Sequence, residues 1–150
     1  MQKEEIIALI KDFLAKLGVS ITDIEVVKQG DIVVFNVVTP DGRKAIGRDG
    51  EHLDALHHLI SLIIKKNTKD EARFNLDVNG YKQSEMNELI AEVRKVVEEV
   101  TKTKKTIELR PMNSYERLLI HNMFSDDIRI ETTSIGEGKE RRIVIKYSVI

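Results

Sequence analysis

Apolar residues fall at Ile6, Ile10, Phe13, Leu14 and Leu17 across residues 3–17, the spacing of one helix face, and Gly18 follows where a helix commonly ends. Two β-rich runs come next, residues 21–27 and 32–38, separated by Gln29-Gly30-Asp31, which predicts a hairpin. Pro40-Asp41-Gly42 ends the second run. After the loop Ile46-Gly47-Arg48-Asp49-Gly50, Leu53, Leu56, Leu59, Ile60 and Ile63 return to helical spacing as far as Lys66, and residues 73–78 alternate as a third strand. Residues 1–79 therefore predict helix, strand, strand, glycine loop, helix, strand.

From Gln83 to Lys105 a second long stripe, Met86, Leu89, Ile90, Val93, Val96, Val97 and Val100, predicts a helix whose basic end suits the negative pole of its dipole. A short strand at 107–109 leads to Pro111. Asn113 is placed to cap a helix over 114–125, with Glu116 at the third helical position to close a capping box. Strands at 128–135 and 141–148 flank Gly136-Glu137-Gly138-Lys139, a hairpin loop. The pattern gives an α+β chain of two small domains, 1–79 and 80–150, divided near Gly80, with no internal repeat.

Composition narrows what these domains do. The chain has 150 residues and no cysteine, which excludes disulfides, thiolate metal sites and cysteine nucleophiles. Apolar runs are short and the N-terminus is acidic, so we expect a soluble cytoplasmic protein without membrane insertion. Net charge is −1, and neither half is strongly basic: 11 basic and 13 acidic residues in 1–80, 13 and 12 in 81–150. Any nucleic-acid binding must then come from local clusters and not from a global field.

Two such clusters stand out. In the glycine loop, Gly47 and Gly50 let backbone approach a sugar-phosphate chain, the following helix N-terminus offers free N–H groups, and Arg43, Lys44 and Arg48 add positive charge. Taken alone, the motif is more often a tight turn before a helix. Farther on, Arg117 and His121 are four residues apart and share a helix face with Phe124, a guanidinium, an imidazole and a ring suited to phosphate contact and base stacking. Their bland alternative is an exposed ion pair or a histidine packed on a sheet. Asp54, His57 and His58 share a helical turn but lack a fourth ligand, so a solvated helix edge is the expectation there. Lys102, Lys104 and Lys105 read most simply as a solvated helix end. No nucleophile, base and orienting group come together, and we expect neither catalysis nor a cofactor, a metal or a small-molecule substrate.

The run Ala45-Ile46-Gly47-Arg48-Asp49-Gly50-Glu51-His52-Leu53-Asp54-Ala55-Leu56, within this order of elements, resembles the KH domain of the bacterial Jag (SpoIIIJ-associated, KhpB-type) RNA-binding family. Glu108-Leu109-Arg110-Pro111-Met112-Asn113-Ser114-Tyr115-Glu116-Arg117-Leu118-Leu119-Ile120-His121 is similar to the Arg-x-x-x-His domain that follows KH in that family, so the resemblance spans 20–150. It implies a KH-like three-stranded sheet with helices, followed by a second small α+β domain. It also implies a clamp at Gly47, Arg48, Asp49 and Gly50 holding about four nucleotides, with Ile46 and Leu53 lining a base groove. The implied partner is single-stranded RNA or DNA, in a post-transcriptional or cell-envelope regulatory role, with a protein partner or a second copy left open. The family loop is usually basic at both middle positions, and Asp49 departs from that. Jag proteins often carry a further small N-terminal domain, which the resemblance does not include. The alternative is a protein-interaction adaptor that keeps the folds with little RNA affinity. Asp49 and the neutral net charge favour it, while Arg48 and the Arg117/His121 face oppose it.

Overall fold

A computed structural model describes residues 3–67 and 73–148. The chain is α+β and divides into two compact units, Met1–Ser84 and Glu85–Ile150. The division falls in the first turn of a helix, a few residues after Gly80.

The first unit begins with α1 (Lys3–Lys16), which buries Ile6, Ile10 and Leu14. Its end is a Schellman turn: Gly18, at φ +74°, donates to the Ala15 carbonyl and Val19 donates to that of Leu14. The helix thus stops one residue before Leu17, which the helical spacing had placed on the buried stripe. Leu17 is instead 51% exposed.

Strands β1 (Asp23–Gln29) and β2 (Ile32–Val38) pair antiparallel across a two-residue turn at Gly30-Asp31. β3 (Phe74–Val78) then lies parallel to β2, which requires a crossover. That crossover is helical. It consists of a short α2 (Gly42–Ile46), a 3-10 turn (Arg48–Gly50) and α3 (Glu51–Asn67). The sequence pattern did not reveal α2, because five residues are too few to show helical periodicity. Phe35, Val37, Leu76 and Val78 of the sheet face Ile10, Leu14, Leu53, Leu56 and Ile60 of the helices to form the core.

A polar clasp sets the position of α2. The Asn79 side chain accepts from the Thr39 N–H (3.0 Å) and donates to the Thr39 carbonyl (2.9 Å), extending the β2–β3 pairing past the end of the strand. The Thr39 hydroxyl donates to the Ser20 carbonyl, and the Asp41 carboxylate accepts from the Ser20 N–H (2.8 Å). The α1–β1 connection and the entrance to α2 are thereby tied together.

α4 (Tyr81–Thr103) starts on Asp77, which is 5% exposed and accepts from the Lys82 and Gln83 N–H groups. Replacing Asp77 with Ala removes the part-buried acceptor that these two N–H groups share. Chemical denaturation of the variant should show a loss of about 1–3 kcal/mol; an unchanged midpoint would refute the capping role.

In the second unit β4 (Ile107–Glu108), β5 (Ile130–Ile135) and β6 (Arg142–Tyr147) form an antiparallel sheet in the order β4-β6-β5. α5 (Ser114–Phe124) has the expected capping box, with the Asn113 side chain accepting from the Glu116 N–H and the Glu116 carboxylate accepting from that of Asn113. Leu89, Val93 and Val100 of α4 and Ile120 of α5 pack on the sheet face that carries Ile130, Ile143 and Ile145. Both strands flanking the last hairpin are shorter than predicted, and its loop closes in a 3-10 turn, Gly138–Glu140. Among the described residues no helix is long and apolar enough to cross a membrane.

Candidate nucleic-acid interface

The glycine loop is a built turn and not a slack one. The Gly47 N–H ends α2 on the Arg43 carbonyl (2.9 Å), and its φ of +74° is one that side chains rarely adopt. A Cβ there would lie 2.5 Å from Cγ of the His52 ring and 2.9 Å from the His52 backbone nitrogen. Gly47 is therefore required by the fold itself. The His52 ring is fixed in turn by a 2.8 Å hydrogen bond between its Nδ1 and the Lys44 carbonyl, which joins α2 to α3.

Asp49 sits in the left-handed region (φ +54°), which Asp and Asn tolerate better than most side chains. Asp49 and the cations Arg43, Lys44 and Arg48 are all exposed, and none of the three cations makes a salt bridge among the described residues. Ile46 is half-buried beside them. Leu53 is fully buried in the core, so it supports the loop from beneath and offers no surface to a base. Nearby, Nε2 of His57 meets the Phe74 carbonyl (3.1 Å), the His57 ring stands edge-on to that of Phe74 (4.8 Å), and Asp54 pairs with Lys82 (3.7 Å). These contacts account for two members of the Asp54, His57 and His58 turn in structural terms.

In the second unit α5 lies over β5. Arg117 is half-buried and its guanidinium donates to the Met112 carbonyl (2.5 Å). His121 has both ring nitrogens engaged: Nδ1 with the Thr132 hydroxyl (2.6 Å) and Nε2 with that of Ser134 (3.0 Å). Burial, and then the positive charges of Arg117 and Arg141, hold its pKa below the ordinary 6.5. At neutral pH the ring is uncharged and acts as a fixed polar group. Arg141, just before β6, donates to the Gly136 carbonyl (2.8 Å), while its own carbonyl accepts from the Met112 N–H (3.2 Å). Neither Arg117 nor Arg141 has a carboxylate at salt-bridge distance among the described residues. Two uncompensated guanidiniums beside a neutral imidazole and two hydroxyls suit a phosphate group.

Phe124 packs against the core of this unit, so much of its ring is unavailable for stacking. The exposed ring on α5 is Tyr115 (57%). Lys104, in the left-handed turn that ends α4, places its ammonium over the Tyr147 ring at 5.3 Å, which occupies one of the three lysines at that helix end.

Sequence reasoning missed Arg141, Thr132 and Ser134. For the two hydroxyls a signal existed. They stand opposite Ile145 and Ile143 on the core-facing side of β5, where alternation calls for apolar residues.

The depressed pKa values have a consequence for stability. For His57, burial followed by the charge of Lys82 also holds the ring below 6.5. In the unfolded chain both rings take up a proton as pH falls through about 6.5, while in the folded chain they resist it. Their contribution is therefore complete above that pH and declines below it. Denaturation at pH 7.5 and 5.5 should find the protein less stable at 5.5, with a smaller difference in His57→Gln; equal stability would mean that neither ring is perturbed.

An α+β unit with an Arg-x-x-x-His pair on a helix over a three-stranded sheet defines a module of the type named for that motif, and residues 87–147 match the family model of the Arg-x-x-x-His domain. The chain belongs to the Jag (KhpB-type) family. It is 35% identical to the RNA-binding protein KhpB of Clostridium symbiosum over 100 residues, 67% of this chain and 45% of that one. It is 30% identical to the protein of that name from Bacillus subtilis (strain 168) over 128 residues, 84% and 62% of the two chains. With that of Lactiplantibacillus plantarum it shares 27% over 140 residues, 93% and 42%. The chain spans about half the length of the curated relatives it matches. Their names describe RNA-binding proteins and no enzyme.

Proposed function

We propose that the chain binds single-stranded nucleic acid, RNA in preference, and that the strand's phosphates are held at the Arg117, His121 and Arg141 cluster. The observation that carries this reading is the pair of guanidiniums left without carboxylate partners around a ring fixed by Thr132 and Ser134. Relatives named as RNA-binding proteins support it.

The Gly47–Gly50 loop, in a KH-like unit, is the second contact. Arg43, Lys44 and Arg48 meet the backbone there, and Asp49 moderates the affinity. A regulatory role in a bacterium, post-transcriptional or at the cell envelope, accords with the resemblance. Binding to an unstructured RNA oligomer, measured over a salt series, tests the reading. Affinity should fall linearly on a log–log plot, by about 0.7 for each phosphate neutralised. No binding at low salt would favour a protein-interaction adaptor.

A further inference from the structure

We propose that phosphate binding at the Arg117 and Arg141 guanidiniums is coupled to protonation of His121, and that the Thr132 and Ser134 hydroxyls turn the added proton into an extra hydrogen-bond donor for the strand. This rests on the single-strand-binding reading above and concerns the same site.

A neutral imidazole has one N–H and one lone pair. With both nitrogens engaged by hydroxyls, one hydroxyl must donate to the ring while the other accepts from it. The donating hydroxyl has then spent its only proton. Once the ring is protonated, both of its N–H groups donate, both hydroxyls accept, and both hydroxyl protons are free to turn to a ligand. One proton taken up on the ring thus adds a positive charge and releases one further O–H donor.

The charged groups facing His121 are Arg117 from its own helix and Arg141 from the approach to β6, while β5 faces it with hydroxyls alone. With the site empty, two cations and burial oppose protonation. A phosphodiester oxygen between the guanidiniums supplies the missing negative charge and removes much of that opposition. By linkage, whatever makes the proton bind more tightly when RNA is present makes RNA bind more tightly when the proton is present.

The test uses the full chain and an unstructured RNA oligomer without terminal phosphates, at constant ionic strength from pH 8 to pH 5.5. Affinity should rise on acidification, by up to about tenfold per pH unit where one whole proton is taken up. His121→Gln should bind more weakly with a flatter profile, and Thr132→Val with Ser134→Ala should lose most of the gain. The His121 ring, followed by NMR, should titrate at higher pH with RNA than without it. A wild-type slope in His121→Gln, or a ring that titrates at the same pH with and without RNA, would overturn the coupling. A full acid gain in the hydroxyl double variant would leave charge alone as the cause and overturn the hydroxyl relay. Should that double variant fail to fold, His121→Gln and the ring titration still decide. If the wild type binds RNA with a flat pH profile and alanine at Arg117 and Arg141 weakens binding at least tenfold, the function stands and only the coupling falls. If the wild type binds no RNA at any pH, both fall.

Discussion

Replacing Arg117 and Arg141 together with alanine is expected to weaken binding to a long unstructured RNA by roughly tenfold to a hundredfold. Each lost contact to a phosphate, at a half-exposed site, contributes about 0.7–1.4 kcal/mol, below the roughly 1.5–3 kcal/mol of a better buried hydrogen bond to a charged group because solvent screens it. The salt slope should flatten by about 1.4, which is about 0.7 for each of two contacts. Fold must be checked alongside, because Arg117 also donates to the Met112 carbonyl and Arg141 to that of Gly136. Losing those bonds costs about 1–2 kcal/mol each, which a melting curve registers.

The same double variant reports whether the glycine loop and this cluster engage one strand. Two linked contacts raise each other's effective concentration, so the loss should be larger on a long oligomer than on one too short to reach both. Equal losses at both lengths would mean two independent binding modules. No loss at either length would remove the cluster from the function.

The second large effect is on the fold. Gly47→Asp should destabilise the first unit by about 2–4 kcal/mol, combining a strained left-handed backbone with overlap against the His52 ring and backbone. That is a sizeable fraction of a small domain's stability. The expectation that both loop glycines serve mainly to admit a sugar-phosphate chain is therefore incomplete. Gly50 too is at positive φ, and a Cβ there would come within 3.2 Å of the Tyr81 ring. A glycine substitution that abolished binding would say little about a clamp.

Charged side chains of the loop separate the two effects. Arg48→Glu should leave the melting curve unchanged and reduce RNA affinity several-fold, since it reverses a charge beside the backbone path. Asp49→Asn keeps a residue that tolerates the left-handed region and removes the charge that opposes phosphate. Its affinity should rise by about two- to fivefold, the effect of one surface charge. If both variants bind as the wild type does, the loop makes no contact with the strand. If Gly47→Asp melts as the wild type does, the loop is not the rigid turn described above.

What the sequence determined by itself was whatever short-range chemistry dictates. Helical spacing placed α1, α3 and α4 because an apolar stripe has one period whatever it packs against. Asn113 and Glu116 announced their capping box because its partners lie three residues apart on the same chain. The Arg117/His121 pair was legible for the same reason, as i and i+4 residues share a face on any helix.

Tertiary structure decided what depends on neighbours distant in sequence. Only folding carries Arg141 to the imidazole from the far side of the β5–β6 hairpin. It also pairs His121 with Thr132 and Ser134, so that a ring expected to present its nitrogens to a ligand has both engaged and its pKa depressed. Leu53 and Phe124 were assigned to bases by their place beside a motif. Burial reassigns Leu53 to the core and most of Phe124 with it, because a helix residue facing a sheet is lost to solvent whatever motif it adjoins. The requirement for glycine at 47 depends on how α2 and α3 are set against each other, which brings the His52 ring and backbone against a position already at positive φ.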